Sequence, residues 1–420
     1  MTCDHHNRPG GFSIILLLFP LFLALAFSIY SNILSAPFLY DDVVFRYDPI
    51  VHIGSLSQLL DILFDWDVSR RVGFITFAFN FYVDGLNPFG YHLFNIIIHA
   101  LTALVLFFVT LKTLTLPSIS GRWKARAPRI ALLGSLIWLV HPVQIMAVSY
   151  TVQRFASLAA LFFLLSILCY ILGRLRQRKS RLTFFALSFL CGLAALGSKE
   201  NAAMLPFVIL LYEFFFFMNL SFKENRRKVL AAAIVVGLLA LLLTILIVGP
   251  DVATMIEKGM AKKGMTLFER VMTQFRVVVL YLTLLIFPHP SRLNVDYDFA
   301  LSRGLFNPPS TFLSLLLLTG LLAFALFRAK KNPLFSFSLL WFFANLAIES
   351  SVFPLDMVYE HRLYLPSMGP IMLFAGCIAA FEHPLLKKAG ILMGILIALL
   401  FSYWTYERNR IWQDPVTLWE

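Results

Sequence analysis

Charge is scarce in this chain. Asp, Glu, Lys and Arg make up 14% of its 420 residues, against about a quarter in a soluble chain of this size. That shortage excludes an ordinary water-soluble domain. Cysteine is nearly absent too, with 4 in all. Cys3 lies at the N-terminal tip, and Cys169, Cys191 and Cys377 fall inside apolar runs. No two share a polar loop, so no disulfide framework is expected. Neither HExxH nor CxxC occurs, which excludes the common zinc signatures. His92, His99 and His141 are spread over two apolar segments with no Glu at ligand spacing. A carboxylate pair plus a substrate phosphate could hold one hard cation such as Mg²⁺ or Mn²⁺, but nothing here requires a cofactor. Short-period repeats, low-complexity tracts and soluble domains are also missing.

What is abundant is hydrocarbon. Apolar residues make up 59% and Phe alone numbers 43. Runs of spanning length fall at about 12–34, 90–112, 128–147, 153–172, 182–198, 201–218, 229–249, 310–328, 333–350, 363–381 and 389–405. The expectation is an all-α polytopic membrane protein with eleven spans, the first a retained signal-anchor. The stretch 271–287 is different, because Arg270 and Arg276 interrupt its approach. It reads as a re-entrant or interfacial helix on the outer side, a candidate wall of a site.

The net charge is +12, but the bases do not cluster as a nucleic-acid footprint would. They punctuate span ends: Lys112 to Arg129, Arg174 to Arg181, Lys223 to Lys228, Arg328 to Lys331, Lys387 and Lys388. The positive-inside rule puts these, with Arg8 and the N-terminus, in the cytoplasm. Regions 35–89, 250–309 and the tail 406–420 then lie outside, flanking a transmembrane domain of 1–405. In the first external loop Leu56, Leu59, Leu60, Leu63 and Trp66 form the apolar side of an interfacial helix. Asp61, Asp65 and Asp67 take its solvated side.

Chemistry is expected on the outer side. Asp41-Asp42 follows Pro37 directly at the end of the first span. Adjacent carboxylates raise one another's proton affinity, which suits a general base. Asp42 is slightly favoured over Asp41. Arg154, Lys199, Arg276 and Arg362 are cations at outer span ends. Each alone reads as an anchor; four together suit an anionic headgroup, the guanidinium fork above all. His92, His99, His141, Glu200, Glu360 and Tyr364 are candidates for lining the same cleft.

Several strings stand together in order. They are Tyr40-Asp41-Asp42; Leu86-Asn87-Pro88-Phe89-Gly90-Tyr91-His92-Leu93-Phe94-Asn95 with His99-Ala100-Leu101; and His141-Pro142-Val143-Gln144 with Val152-Gln153-Arg154. Ser198-Lys199-Glu200, Glu360-His361-Arg362-Leu363-Tyr364-Leu365-Pro366-Ser367-Met368-Gly369 and Arg408-Asn409-Arg410-Ile411-Trp412 follow. The series resembles the membrane portion of the transmembrane-and-tetratricopeptide-repeat protein O-mannosyltransferases and their bacterial relatives, in the GT-C superfamily. The resemblance implies an inverting hexosyltransferase with a polyprenyl-phosphate sugar donor. It implies an extracytoplasmic protein or glycolipid acceptor and a loop acid as base. For a bacterial relative it implies the inner membrane, with the N-terminus cytoplasmic and the C-terminus periplasmic. A lipid A or glycan-modifying transferase with the same donor, or a lipid-linked-sugar transporter, are the alternatives. Two departures stand out. Arg154 is followed by Phe155-Ala156 instead of Ala-Asp, and Arg71 by Val72-Gly73 where Pro is common. No repeat domain occurs within these residues.

Overall fold

The computed structural model of the protein describes residues 11–65, 67–218 and 252–419, with scattered helical positions between 227 and 237. The expected span 229–249 and Trp66 lie outside the described residues, as do Arg8 and most of the 223–228 basic cluster. Among the described residues the chain is helical, with one isolated β-bridge. Seven helices are long and apolar enough to cross a membrane: Ile14–Ile33, Pro88–Leu114, Thr151–Leu175, Arg178–Leu196, Glu200–Phe217, Pro309–Arg328 and Pro384–Gln413. An eighth is bent by 56° between Gly121–Val140 and Pro142–Val148. Pro142 cannot donate to the helix ladder, so the bend falls there. The chain is an integral membrane protein. Its outward faces carry Leu17, Leu182, Phe189, Leu313 and Phe327 at high exposure, a surface that water does not tolerate but lipid does.

Three expectations need correction. The segments 333–350 and 363–381 hold helices of only 14 and 12 residues, Pro333–Leu346 and Met368–Ala379, too short to cross by themselves. The chain between them is irregular and carries the 3₁₀ turn Glu360–Leu363. The first external region holds one helix more than expected: besides Gln58–Phe64 it contains the 14-residue helix Arg71–Asp84. The C-terminal segment is no free tail. The last long helix runs on to Asn409, and Trp412 is buried.

The stretch around 271–287 forms an unbroken 20-residue helix, Leu267–Ile286, opened by a Thr266–Glu269 capping box. Its near half is tied to Glu349, Ser351 and Leu355 through Arg270. Its far half is tied to Tyr359 through Tyr281, and to His141 through the Leu285 carbonyl. All these partners close the same end of the bundle, so both halves of this helix lie against one end.

The core is continuous. Pro88–Leu114 packs on Gly121–Val140, Thr151–Leu175 and the first helix. Thr151–Leu175 also packs along Arg178–Leu196. That framework holds the loops 34–43, 148–154, 197–201 and 347–363 together at one end.

Candidate active site

Asp42 and Asp41 part ways at this end. The 3₁₀ turn Tyr40–Val43 begins with Tyr40 in the left-handed region, at φ 55. A bulky residue rarely adopts that conformation, and such strain clusters at functional sites. The turn sends the Asp42 carboxylate inward, where it is 2% exposed. Oδ1 accepts the Val152 N–H at 2.6 Å, and Oδ2 accepts the Leu39 N–H at 3.4 Å. Burial pushes its pKa up to about 7, against the pull of those two N–H donors. Asp41 is exposed. Its backbone N–H donates to the Tyr150 hydroxyl at 2.8 Å, and Tyr150 stacks on Trp412. The carboxylate favoured from sequence is thus the anchored one, and its neighbour faces out.

The four proposed phosphate partners do not converge as a set. Arg154 is fully buried. Its guanidinium donates to Asn95 Oδ1 and Asn80 Oδ1, both at 2.6 Å, to the Tyr91 carbonyl at 2.9 Å and to the Thr76 carbonyl at 3.2 Å. Phe77 and Phe94 cover its faces. It clamps Arg71–Asp84 and Pro88–Leu114 to its own helix and has no path to a headgroup here. Arg276 holds the Ala300 carbonyl at 2.8 Å and lies over Phe299, apart from the others.

Lys199 and Arg362 do come together, and Arg70 joins them. The three charges act in concert on His361. Burial first, then the positive fields of Lys199, Arg362 and Arg70, push its pKa well below the ordinary range. Lys199 is 7% exposed, and its Nζ lies 3.0 Å from Glu349 Oε1. Glu349 is thus its buried ion-pair partner. Burial lowers its pKa too, with Glu349 opposing. Arg362 donates to the Asp356 and Met357 carbonyls. Arg70, itself at φ 57, grips Glu200 in a bidentate pair at 2.9–3.1 Å.

Tyr359 links the acid turn to these cations. Its hydroxyl lies 3.5 Å from that of Tyr40, its ring stacks on His361 at 5.2 Å, and the Arg362 guanidinium sits 5.4 Å from it. The surface running from Asp41 through Tyr40 and Tyr359 to Arg362, Lys199 and Arg70 thus carries a carboxylate at one end and cations at the other.

The remaining candidates make contacts within the fold. His99 Nε2–H donates to the Leu139 carbonyl, and its Nδ1 accepts from the Tyr364 hydroxyl, both at 2.8 Å. The pair is buried beside Trp138, and Tyr364 also borders a small pocket next to His361 and Arg362. His92 donates to the Ala36 carbonyl and steadies the acid loop. His141 donates to the Leu285 carbonyl at the bend. Glu360 is buried, accepts from Asn294 N–H and Tyr297 OH, and has its pKa pushed by burial up to about 7. It pins the 290–297 loop. Glu200 serves Arg70.

Arg70, Glu349, Tyr359 and Tyr150 were not singled out from sequence. Glu349 carried a signal, being a carboxylate at the end of an apolar run. The conformation of Arg70 carried none.

Among the described residues no group of three or more His, Cys, Asp or Glu converges on a metal position. The acid pair does not present a joint chelate either, since Asp42 is buried and Asp41 is exposed. No step below is routed through a cation.

No family model matches the chain, and no solved structure matches it. Curated relatives do. Over 234 residues, 51% of this chain, it is 30% identical to the protein O-mannosyl-transferase TMTC2 of Homo sapiens, covering 27% of that protein. It is 32% identical over 195 residues, 43% of the chain, to the protein O-mannosyl-transferase Tmtc1 of Drosophila melanogaster, covering 20% of it. Against the protein O-mannosyl-transferase TMTC4 of Homo sapiens identity is 35% over 140 residues, 31% of the chain and 19% of the relative. The matched stretch spans about a quarter or less of these relatives' own length. Over about half its length, then, the chain is related to proteins named as O-mannosyl-transferases.

Proposed function

We propose that the chain is an inverting hexosyltransferase of the GT-C type. It moves a sugar, mannose first among candidates, from a polyprenyl-phosphate donor to a Ser or Thr hydroxyl of an extracytoplasmic protein. The observation that carries this reading is an exposed Asp41 on a strained turn, joined by Tyr40 and Tyr359 to the Arg70, Lys199 and Arg362 cluster. The end bearing these groups faces away from the cytoplasm, as the distribution of basic residues supports.

The chemistry needs two things of the protein. A base takes the proton from the acceptor hydroxyl as its oxygen bonds to the anomeric carbon. Cations stabilise the polyprenyl phosphate as the carbon–oxygen bond to it breaks. Phosphate is a good leaving group, so no protein acid is required. One displacement inverts the anomeric centre, and no second carboxylate is needed as nucleophile. Geometry ranks before pKa in choosing a base. Asp41 is open to an acceptor, so it takes that role. Asp42 positions it by fixing the turn to Val152. Lys199, Arg362 and Arg70 receive the phosphate, and the positive field they jointly impose on His361 favours that assignment.

The test is transfer from polyprenyl-phosphate mannose by purified protein in lipid nanodiscs, with donor binding measured in parallel. Asp41→Asn is expected to lower turnover about 10²–10⁴-fold while donor binding survives. Lys199→Met is expected to weaken donor binding. Peptide and glycolipid acceptors are offered side by side; transfer only to the glycolipid moves the acceptor to the lipid class. Undiminished turnover in the Asp41→Asn/Asp42→Asn double variant overturns the base assignment and leaves a transporter in front.

A further inference from the structure

A cavity of about 840 Å³ lies at the end of the bundle away from the acid pair. Leu106, Val109, Trp123, Tyr212, Trp341 and Met372 give it apolar walls. Thr110 on its wall follows Asn95 by fifteen residues of one helix, which is roughly 20 Å from the outer site. Its rim differs in kind. Arg122, Arg328, Lys330 and Lys331 all border it. Elsewhere at this end two cations are paired, Arg126 with Glu382 and Arg174 with Glu213. No carboxylate among the described residues pairs with any of the four rim cations. Arg122 and Arg328 rest only on aromatic faces. A largely apolar chamber, with cations at its mouth that no described carboxylate pairs, has the polarity of an amphiphile: chain inside, anionic head at the rim.

We propose that this cavity is a binding site for a phospholipid with an anionic headgroup, drawn from the leaflet at the basic end. Its volume falls in the range of built ligand sites. Basic residues beside a membrane attract anionic lipid by electrostatics, and four of them act together here. The sugar donor is a poor occupant. Its phosphate belongs beside Lys199 and Arg362 at the opposite end, and one phosphate cannot serve both ends. Bound acyl chains fill the space between Pro88–Leu114, Gly121–Val140, Pro333–Leu346 and Met368–Ala379, so the lipid completes the packing of the two short helices. The cavity and its basic rim stand apart from the transferase reading, while the exclusion of the sugar donor as occupant rests on it.

The experiment is native mass spectrometry of the full chain released from detergent with dioleoyl phosphatidylglycerol or dioleoyl phosphatidylcholine. Phosphatidylglycerol is expected to be retained about tenfold better. The combined variant Arg328→Gln/Lys330→Gln/Lys331→Gln is expected to abolish that preference. Gly376→Leu, whose added Cβ would meet nothing nearer than the Trp123 ring at 3.8 Å, is expected to fill the chamber and lower retention of both lipids. Equal retention of the two lipids by the unaltered protein overturns the proposal. So does an unchanged preference in the rim variant, or complete displacement of phosphatidylglycerol by millimolar inorganic phosphate, which would mark an anion site without a chain pocket.

Discussion

Arg154 and Asp42 show how one residue type can be right in chemistry and elsewhere in space. Both are ionisable groups in an apolar protein, which ordinarily signals function. The signal is present in the sequence; the direction of the side chain is not. Arg154 turns into three packed helices, where amide and carbonyl oxygens take its donors. Arg154→Lys is expected to cost on the order of 3 kcal/mol of stability, because a point charge cannot reproduce the fork and leaves buried acceptors unpaired. Thermal unfolding in detergent checks this; the folded fraction should still bind donor. A stable variant that has lost only donor binding would return Arg154 to the phosphate. Asp42 has a folded pKa near 7, above its ordinary value near 4. The folded state therefore holds a proton that the unfolded state releases. Its contribution to stability is complete below about pH 4 and is lost as pH rises through 7. Melting temperature should fall between pH 4.5 and 7.5, and fall less in Asp42→Asn. Glu360 has the same sign and keeps the slope from vanishing. Identical slopes in both proteins would contradict the buried placement.

At the scale of elements, hydropathy located most of the long helices because lipid demands an unbroken apolar run. It failed where protein replaces lipid as the neighbour. Pro333–Leu346 and Met368–Ala379 are apolar enough but stop early. Arg71–Asp84 is aromatic and β-branched, without a polar stripe to mark a helical period. Gly73 and Phe155, close after Arg71 and Arg154 in the chain, are neighbours. A Cβ on Gly73 would sit 2.2 Å from the ring of Phe155. The bulky residue after Arg154 thus requires the small one near Arg71. Gly73→Ala alone should destabilise by about 1–3 kcal/mol through overpacking. In a Phe155→Ala background the same change should be nearly neutral, a coupling that a double-mutant cycle reads directly. Additive effects would separate the two positions.

For the whole molecule the open question of orientation reduces to Leu267–Ile286. It has the length of a span, yet its two halves are tied to the same end of the bundle. Single cysteines replacing Lys262 and Arg303 should both react with an impermeant reagent added from the side of the acid pair. Reaction at only one would make this helix cross and invert everything after it. That the helix contains Arg270 and Arg276 could be read from the sequence. What could not be read was that Ser351, Leu355 and Ala300 supply the carbonyls that accept from them, since those contacts link residues far apart in the chain.

The last long helix has a consequence for how the protein is made. Asn409 accepts from Ser149 and donates to the Ile29 carbonyl, while Gln413 donates to Asn32. Trp412 backs Tyr150, which holds the Asp41 backbone. The acid turn leaves the ribosome well before the segment that backs it, Asn409–Gln413, has been made. A ribosome-bound chain that has inserted most of its spans therefore still lacks the support behind Asp41. Chains halted before Asn409 would leave the Asp41 turn without support, and synthesis of Asn409–Gln413 would itself act as the switch that arms the turn.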